Sequence, residues 1–273
     1  MEKTLENFDS YQTTYYRRLF ALPYFAQIAS VIERFLKAIV ERGEFYTRVQ
    51  IKILESILES GTLKSMIETH RGTTNGGENT RKEVIENLFG CDTSAMQAAD
   101  YPKYGFLSQP DGRRDLLVNA HMSMQFGDVS IRLKKSRMMH RTTLCVGNSV
   151  NFGNSEMMVP TRTDNIKATC ITGLAHEGKR QLMRNPMGFY YYLTSKILQG
   201  ELTADNFAHI DRISDDCPMP IEYFELQYHG IISLKDDVER IDAVPSTPEE
   251  IDILNRLKPK FNAIGIPLEI TMF

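Results

Sequence analysis

Residues 224–230 of this 273-residue chain have the sequence Phe-Glu-Leu-Gln-Tyr-His-Gly. Side chains alternate between the two faces of a β-strand, so the pattern predicts a strand with Glu225, Gln227 and His229 on one face. The other face would be apolar and aromatic. A carboxylate, an amide and an imidazole in one row indicate a binding or catalytic site, although a half-exposed strand with its polar face in water gives the same pattern.

The segments around this strand favour the α+β class. Further strand-like runs lie at residues 104–107, 116–124, 129–133, 142–146, near 231 and at 266–272. Helical spacing of apolar residues predicts helices over 24–40, 49–58, 81–89, 173–183 and 189–198. Strands outnumber the helices between them and do not alternate regularly with them, which argues against a doubly wound sheet.

One more helix is predicted from a capping pattern. The side chain of Thr247 can accept a hydrogen bond from the backbone amide of Glu250, and Pro248 fits the first turn of a helix. We expect this helix to end at Pro259.

Composition argues against several classes of function. The net charge is −3 and the sequence pI is about 6.1, so the overall charge gives no indication of binding to nucleic acid or to an anionic membrane. The four cysteines and six histidines show no metal-binding spacing, so we expect no metal. No run of about 18 apolar residues predicts a membrane span. Residues 1–10 lack the apolar core of a Sec signal peptide.

A second informative segment is the run Arg-Gly-Thr-Thr-Asn-Gly-Gly at residues 71–77. Glycine lets a backbone approach a ligand closely, and the side chains of Thr73, Thr74 and Asn75 can hydrogen-bond amides or hydroxyls. The run is neither a P-loop nor a Rossmann fingerprint. Taken alone, it is equally compatible with a flexible loop.

Short motifs along the chain occur in an order that resembles one bacterial family. They are Gly72–Gly77, Leu88–Gly90, Tyr101–Gly105, Pro110–Gly112, Phe126–Gly127, Arg141–Thr143 and Glu225–Gly230. Together they are similar to the ADP-ribosyltransferases typified by the effector CteC, which modifies threonine on host ubiquitin. The resemblance covers roughly residues 49–244, and the stretch 154–218 carries little of it.

This resemblance implies a fold, and the helical spacing of apolar residues near the N-terminus implies a division of the chain. The fold would be an ADP-ribosyltransferase-like split, two-sheet core that binds NAD+ without a Rossmann motif. We expect a helical lobe over residues 1–60, either a separate unit for substrate recognition or a brace for the rest of the chain. Residues 61–273 would form the catalytic domain.

The resemblance also implies a mechanism centred on an Asp and a Glu. The Glu corresponds to Glu225. The Asp is expected at Asp111, with Asp128 as the next candidate. Many relatives have Gly-Asp-Ser where this chain has Gly-Asn148-Ser, so this chain would be a variant or weakened enzyme if that Asp were the catalytic one.

The chemistry of NAD+ cleavage supports a role for Glu225. Breaking the nicotinamide–ribose bond creates an oxocarbenium-like centre, and a carboxylate that binds the ribose 2′-hydroxyl stabilises the developing charge. A second carboxylate could accept the proton of an incoming threonine hydroxyl. The residues expected to bind NAD+ are Gly72, Thr73, Thr74, Asn75, Tyr104, Gln227 and His229. Tyr104 could stack on nicotinamide, and core packing is its alternative role.

The leading interpretation is a secreted bacterial effector that acts in the host cytoplasm and transfers ADP-ribose from NAD+ to a threonine of ubiquitin, which would block ubiquitination. An NAD+ glycohydrolase would share the site and use water as the acceptor. A catalytically inactive binding module of the same fold is the third possibility, and Asn148 is the residue that most favours it.

Overall fold

The structure, a computed structural model, describes residues 3–69, 77–109, 127–149, 158–171, 187–215 and 221–272. The strands in these ranges are β1 (Glu44–Val49), β2 (Thr62–Leu63), β3 (Lys103–Ser108), β4 (Val129–Leu133), β5 (Thr142–Val146), β6 (Thr161–Arg162), β7 (Phe224–Tyr228), β8 (Ile232–Ser233), β9 (Val238–Ala243) and β10 (Leu268–Ile270). The α-helices are α1 (Phe8–Phe20), α2 (Phe25–Arg42), α3 (Leu54–Ser60), α4 (Gly77–Phe89), α5 (Lys135–Met138), α6 (Gly188–Leu198), α7 (Ile210–Ile213), α8 (Leu234–Asp237) and α9 (Pro248–Ala263).

Eight of these strands form one sheet, in the order β10-β9-β4-β1-β3-β7-β5-β6, and β2 pairs with β8 in a two-stranded sheet. Only β9 and β10 pair in parallel among the described strands, and the remaining pairs are antiparallel. The helices do not alternate with parallel strands, so the α+β prediction is confirmed. The strand predicted from residues 224–230 is β7, which lies between β3 and β5.

Helix α2 covers the apolar face of β7. Its buried side chains recur every three or four positions and are Phe25, Ile28, Ala29, Ile32, Phe35, Leu36, Ile39 and Val40. The ring of Phe35 contacts the ring of Phe224 with 6.0 Å between centroids. Full burial of each large apolar side chain contributes about 1.5–3 kcal/mol. This stripe therefore fixes which face of β7 turns towards the main core.

Strand β1 is the main element that the sequence pattern misses. Its residues carry no clear alternation, yet they pair with β4 on one side and β3 on the other. The helix predicted from residue 49 is wrong at its start, because Val49 ends β1 and the α-helix begins only at Leu54. The large sheet thus takes strands from both sides of the boundary predicted at residue 60. The division into 1–60 and 61–273 stays a prediction.

Helix α9 confirms the capping prediction and corrects its end. The side chain of Thr247 accepts from the Glu250 amide at 3.2 Å, and the Glu250 carboxylate accepts from the Thr247 amide. The helix continues through Pro259 to Ala263. Burial of Phe261 in the core holds this last turn and compensates for the hydrogen bond that proline cannot donate.

The remaining predicted elements divide into two groups. The helices predicted at 24–40, 81–89 and 189–198 and the strands at 104–107, 129–133 and 142–146 are confirmed within a few residues. The strand predicted at 116–124 and the helix at 173–183 lie outside the described residues. In the part of the chain that the structure describes, no helix is both long and apolar enough to cross a membrane.

Candidate active site

Glu225 occupies the second position of β7 and is only 2% exposed. Its Oε1 accepts a 2.6 Å hydrogen bond from Nε2 of Gln227. Its Oε2 accepts from the backbone amide of Ser149 and from the hydroxyl of Tyr223, each at 3.4 Å. The polar face of β7 is therefore buried, which excludes the alternative of a strand with its polar face in water.

Burial also changes the acidity of this carboxyl group. It raises the pKa of Glu225 to about 7, because the charged form loses its hydration. Hydrogen bonds from Ser149, Gln227 and Tyr223 act in the opposite direction, since they stabilise the charged form. Glu225 therefore changes its charge near neutral pH, the range in which a catalytic carboxyl group is most useful.

The titratable groups that face Glu225 come from β3, from β5 and from the residue before β7. They are the phenols of Tyr104 and Tyr223 and the thiol of Cys145. Burial raises the pKa of all three groups well above their usual values, so each of them is neutral at pH 7. Of these four neighbouring groups, Glu225 is the one that titrates near neutrality.

A chain of buried hydrogen bonds extends from Glu225 to the N-terminal segment. The Thr143 hydroxyl on β5 donates to Oε1 of Gln227 at 2.9 Å and lies 2.9 Å from Nε2 of His229. The other ring nitrogen, Nδ1 of His229, lies 2.6 Å from the hydroxyl of Thr4. Both nitrogens of His229 thus have partners within the protein.

His229 is fully buried and uncharged. Burial is the main cause that lowers the pKa of His229 to about 3, and the positive charges of Arg162 and Lys103 lower it further. The edge of its ring meets the ring of Phe89, with centroids 5.0 Å apart. Its predicted contact with NAD+ stays a prediction.

The same face of the sheet continues into an aromatic and basic patch, formed by Tyr46, Arg48 and Phe106. Phe106 pairs in register with Glu225, and its ring stacks on Tyr46 with centroids 5.6 Å apart. The guanidinium of Arg48 lies 5.9 Å from the centroid of Phe106. Burial lowers the pKa of Arg48 to about 10, so it is charged at neutral pH. The patch thus offers a cation and an aromatic surface on the face that carries the carboxylate.

Tyr104 is the predicted NAD+-binding residue of β3, and the structure places it opposite Gln227 in register. Its side chain is half-buried, on the face that carries Glu225. The other predicted positions, Gly72, Thr73, Thr74, Asn75 and Asp111, lie outside the described residues.

The two remaining candidates for the catalytic Asp differ in position. Asp128 precedes β4, and β1 and β3 separate that strand from β7, a distance of about 14 Å at 4.8 Å per strand. Burial and the nearby Glu250 raise the pKa of Asp128. Asn148 is bonded to Ser149, whose amide donates to Glu225. Asn148 is thus next in sequence to a residue that bonds Glu225, while its own side chain hydrogen-bonds Glu222.

Sequence reasoning misses four residues that surround Glu225, Gln227 and His229. Tyr223, Thr143, Ser149 and Thr4 reach them from different segments. Their positions depend on strand register, which a single sequence does not specify. The one available signal is Thr143, which stands in the Arg-Thr-Thr motif of the resemblance. Within the described ranges, no group of three His, Cys, Asp or Glu side chains could hold a metal ion.

Comparison with solved structures finds five similar chains, among them the two described below. No protein-family model and no curated protein matches the chain. Thermosipho africanus DarTG in complex with ADP-ribose is 14% identical, with a TM-score of 0.37 over 83% of this chain and 49% of that chain. Thermus sp. 2.9 DarT in complex with NAD+ is 10% identical, with a TM-score of 0.36 over 83% of this chain and 94% of that one. This chain thus spans about half the length of the first.

Proposed function

We propose that this chain is an NAD+-dependent mono-ADP-ribosyltransferase in which Glu225 is the catalytic carboxylate. The observation that supports this most directly is the state of Glu225, a buried carboxyl group with three hydrogen-bond donors and a pKa of about 7. Its strand also carries the Glu-Leu-Gln-Tyr-His-Gly motif of the family resemblance.

The reaction begins with cleavage of the nicotinamide–ribose bond. Positive charge then develops on the ribose, and an ionised Glu225 in a low-dielectric surrounding stabilises that charge more strongly than it would in water. The positive charge of bound NAD+ favours the ionised form of Glu225, because opposite charges lower the pKa of a carboxyl group. Substrate binding would thus activate the carboxylate that the reaction needs.

Two further features of the same face suit NAD+. Arg48 supplies a positive charge for the pyrophosphate, which guanidinium groups bind well. Tyr104 supplies an aromatic ring for nicotinamide. The predicted loop over residues 71–77 would add Gly72, Thr73, Thr74 and Asn75 to the nucleotide site.

The acceptor is a more specific part of the proposal. The family resemblance supports a threonine of host ubiquitin, whose hydroxyl must lose a proton as it attacks the ribose carbon. A threonine hydroxyl does not ionise at neutral pH by itself, so a second carboxylate must accept this proton. We assign this role to Asp111, the first sequence candidate. In the same proposal, the protein is a secreted effector that reaches ubiquitin in the host cytoplasm.

One observation supports a second function. The residue before Ser149, whose amide donates to Glu225, is the uncharged Asn148, where many of the resembling proteins have an Asp that would supply a second charge. Without that charge a protein acceptor would be activated poorly. Such an enzyme would hydrolyse NAD+ or bind its partner without turnover.

One experiment separates these functions. The protein is incubated with NAD+ and ubiquitin, and the intact mass of ubiquitin and the released nicotinamide are measured. A gain of one ADP-ribose supports the transferase. Nicotinamide without a mass gain supports the glycohydrolase, and no turnover supports an inactive binding module and contradicts the proposal.

The variant Glu225→Gln tests the catalytic assignment in the same assay. It keeps the size of the side chain and removes the charge, so the rate of nicotinamide release should fall by at least about a hundredfold. Glu201→Gln is the matched control, because Glu201 is an exposed carboxylate on a different segment. A folded Glu225→Gln protein with a normal rate would remove Glu225 from the mechanism.

A further inference from the structure

We infer that Thr4, Thr143 and His229 are positioning residues that hold Gln227 in the one amide orientation that donates to Glu225. None of the three bonds Glu225 directly; they bond to Gln227 or to one another. Their importance for turnover rests on the proposed function. The four residues are buried and form one continuous chain of contacts between 2.6 and 2.9 Å.

The direction of each hydrogen bond follows from counting protons. An ionised carboxylate only accepts, so the Gln227 amide must turn its NH₂ towards Glu225 and its oxygen towards Thr143. The hydroxyl of Thr143 has a single proton, and that proton is donated to the Gln227 oxygen. Thr143 can therefore only accept from His229.

This requirement selects one tautomer of His229. Its Nε2 must carry the proton in order to donate to Thr143 at 2.9 Å. A neutral imidazole has only one N–H, so Nδ1 is left as an acceptor. The hydroxyl of Thr4 lies 2.6 Å from Nδ1 and is the group that donates to it. Each group thus donates to the next, from Thr4 through His229, Thr143 and Gln227 to Glu225.

Thr4 helps to hold His229 in this tautomer, because its hydroxyl supplies the donor that a bare Nδ1 needs. Without its hydroxyl, the Nδ1 of His229 would be buried with no donor, which costs free energy. The ring could then move its proton to Nδ1 and accept from Thr143 at Nε2. Thr143 would no longer donate to Gln227, and the amide would be free to turn its oxygen towards the carboxylate. Glu225 would lose the donor that stabilises its charge.

The first test observes the tautomer without any need for turnover. Long-range ¹H–¹⁵N correlation spectra of protein labelled with ¹⁵N-histidine distinguish a protonated from a bare ring nitrogen. The signals of His229 are identified by their absence in a His229→Gln variant. We expect a proton on Nε2 and a bare Nδ1 above about pH 7, where Glu225 is ionised. A proton on Nδ1, or on both nitrogens, would overturn the inference.

The second test removes the donor with Thr4→Val, which keeps the shape of the side chain. The pKa of the Glu225 carboxyl group, followed by ¹³C NMR, should rise above about 7 because its charged form has lost a donor. The acidic limb of the pH–rate profile for nicotinamide release should move to higher pH by about one unit. Thr4→Ser, which restores the hydroxyl, should restore both values.

Thr194→Val is the matched control for this test. Thr194 is also a buried threonine, and its hydroxyl has no hydrogen-bond partner in the described part of the chain. Its removal should leave the Glu225 pKa unchanged. If Thr4→Val leaves the pKa and the pH profile unchanged as well, the inference is wrong. If the NMR results hold but no variant releases nicotinamide, the hydrogen-bond order stands and the proposed function fails.

Discussion

Water stabilises a carboxylate far better than a protein interior does, and Glu225 shows the consequence for a single residue. Hydrogen bonds from Gln227, Ser149 and Tyr223 replace part of the lost hydration, yet the pKa stays at about 7. Near neutral pH the group is therefore present in both protonation states. A positively charged group bound nearby can then shift it to the charged form at little cost.

The pKa of Glu225 leads to a prediction about stability. The group has a pKa of about 7 in the folded protein and an ordinary value of 4.5, so the folded state keeps a proton that the unfolded state loses between these pH values. Its contribution to stability is complete below pH 4.5 and is lost as the pH rises through 7. At about 1.4 kcal/mol per pH unit, the loss is about 3 kcal/mol.

Glu225→Gln removes this pH dependence. The free energy of unfolding of each protein is measured with urea at about pH 4.5 and about pH 8. Between these two pH values, the stability of the variant relative to the wild type should increase by about 3 kcal/mol. A difference that is equal at both pH values would show that Glu225 is not buried in the way the structure indicates.

Asn75 is the predicted nucleotide-binding residue with the most versatile side chain, since its amide both donates and accepts. Asn75→Ala should weaken NAD+ binding by about tenfold, in proportion to the loss of about one hydrogen bond. Titration calorimetry measures the affinity, and thermal unfolding without NAD+ serves as the control and should change little. Equal affinities of the wild type and Asn75→Ala for NAD+ would contradict the assignment of Asn75 to the nucleotide site.

At the scale of secondary structure, Gly105 explains why one motif of the sequence needs a glycine. A Cβ at this position would lie 2.0 Å from the backbone oxygen of Tyr46 and 2.6 Å from a ring carbon of Tyr228. The Tyr228 hydroxyl also donates to that backbone oxygen at 2.9 Å. The close contact of β1, β3 and β7 therefore has no room for a side chain.

Gly105→Ala should destabilise the protein by at least about 3 kcal/mol, the upper end of the usual cost of overpacking. Gly200→Ala is a suitable comparison, because no atom lies within 4 Å of the added Cβ and only its backbone φ of +75° is unfavourable. That change should cost about 1–2 kcal/mol. The loss in free energy of unfolding is measured for both variants with urea. Equal losses for Gly105→Ala and Gly200→Ala would contradict the packing argument.

Helix α2 provides the test of partner recognition by the N-terminal region. Glu33 is unsuitable for a charge reversal, because its carboxylate accepts hydrogen bonds from the Tyr16 hydroxyl at 2.5 Å and from the Ala168 amide at 2.9 Å. Arg34 and Lys37 lie on the exposed face. If this face binds ubiquitin, Arg34→Glu with Lys37→Glu should change the KM for ubiquitin several-fold and leave the KM for NAD+ unchanged. Unchanged constants for both substrates would assign the helix to scaffolding.

The sequence predicts the elements that have strong local patterns. Helix α2 has a continuous apolar stripe, α9 has a capping box, and β7 alternates polar and apolar residues. Strand β1 escapes prediction because its stability comes from pairing on both sides rather than from its own pattern. Tertiary burial of Phe261 likewise extends α9 past a proline that locally favours an end.

At the scale of the whole molecule, the site depends on contacts that no local pattern contains. Glu225 is predictable because its strand shows a repeated polar face. The role of Thr4 is not predictable from the sequence, because its partner His229 is 225 positions away. Ser149 and Thr143 are brought to β7 by the register of β5, which is set by the assembled sheet. Prediction from one sequence therefore identifies the buried carboxyl group and misses the residues that bond to it and to its neighbours.

The contact between Thr4 and His229 also has a consequence for the order of folding. A contact between residues 225 positions apart forms late, because closing a long loop is slow and requires most of the intervening structure. The helices can form before this contact exists, whereas the carboxylate reaches its final surroundings only afterwards. In refolding from denaturant, nicotinamide release should therefore recover more slowly than the circular-dichroism signal of the helices. Newly made chains would thus complete their scaffold before the surroundings of Glu225 are assembled.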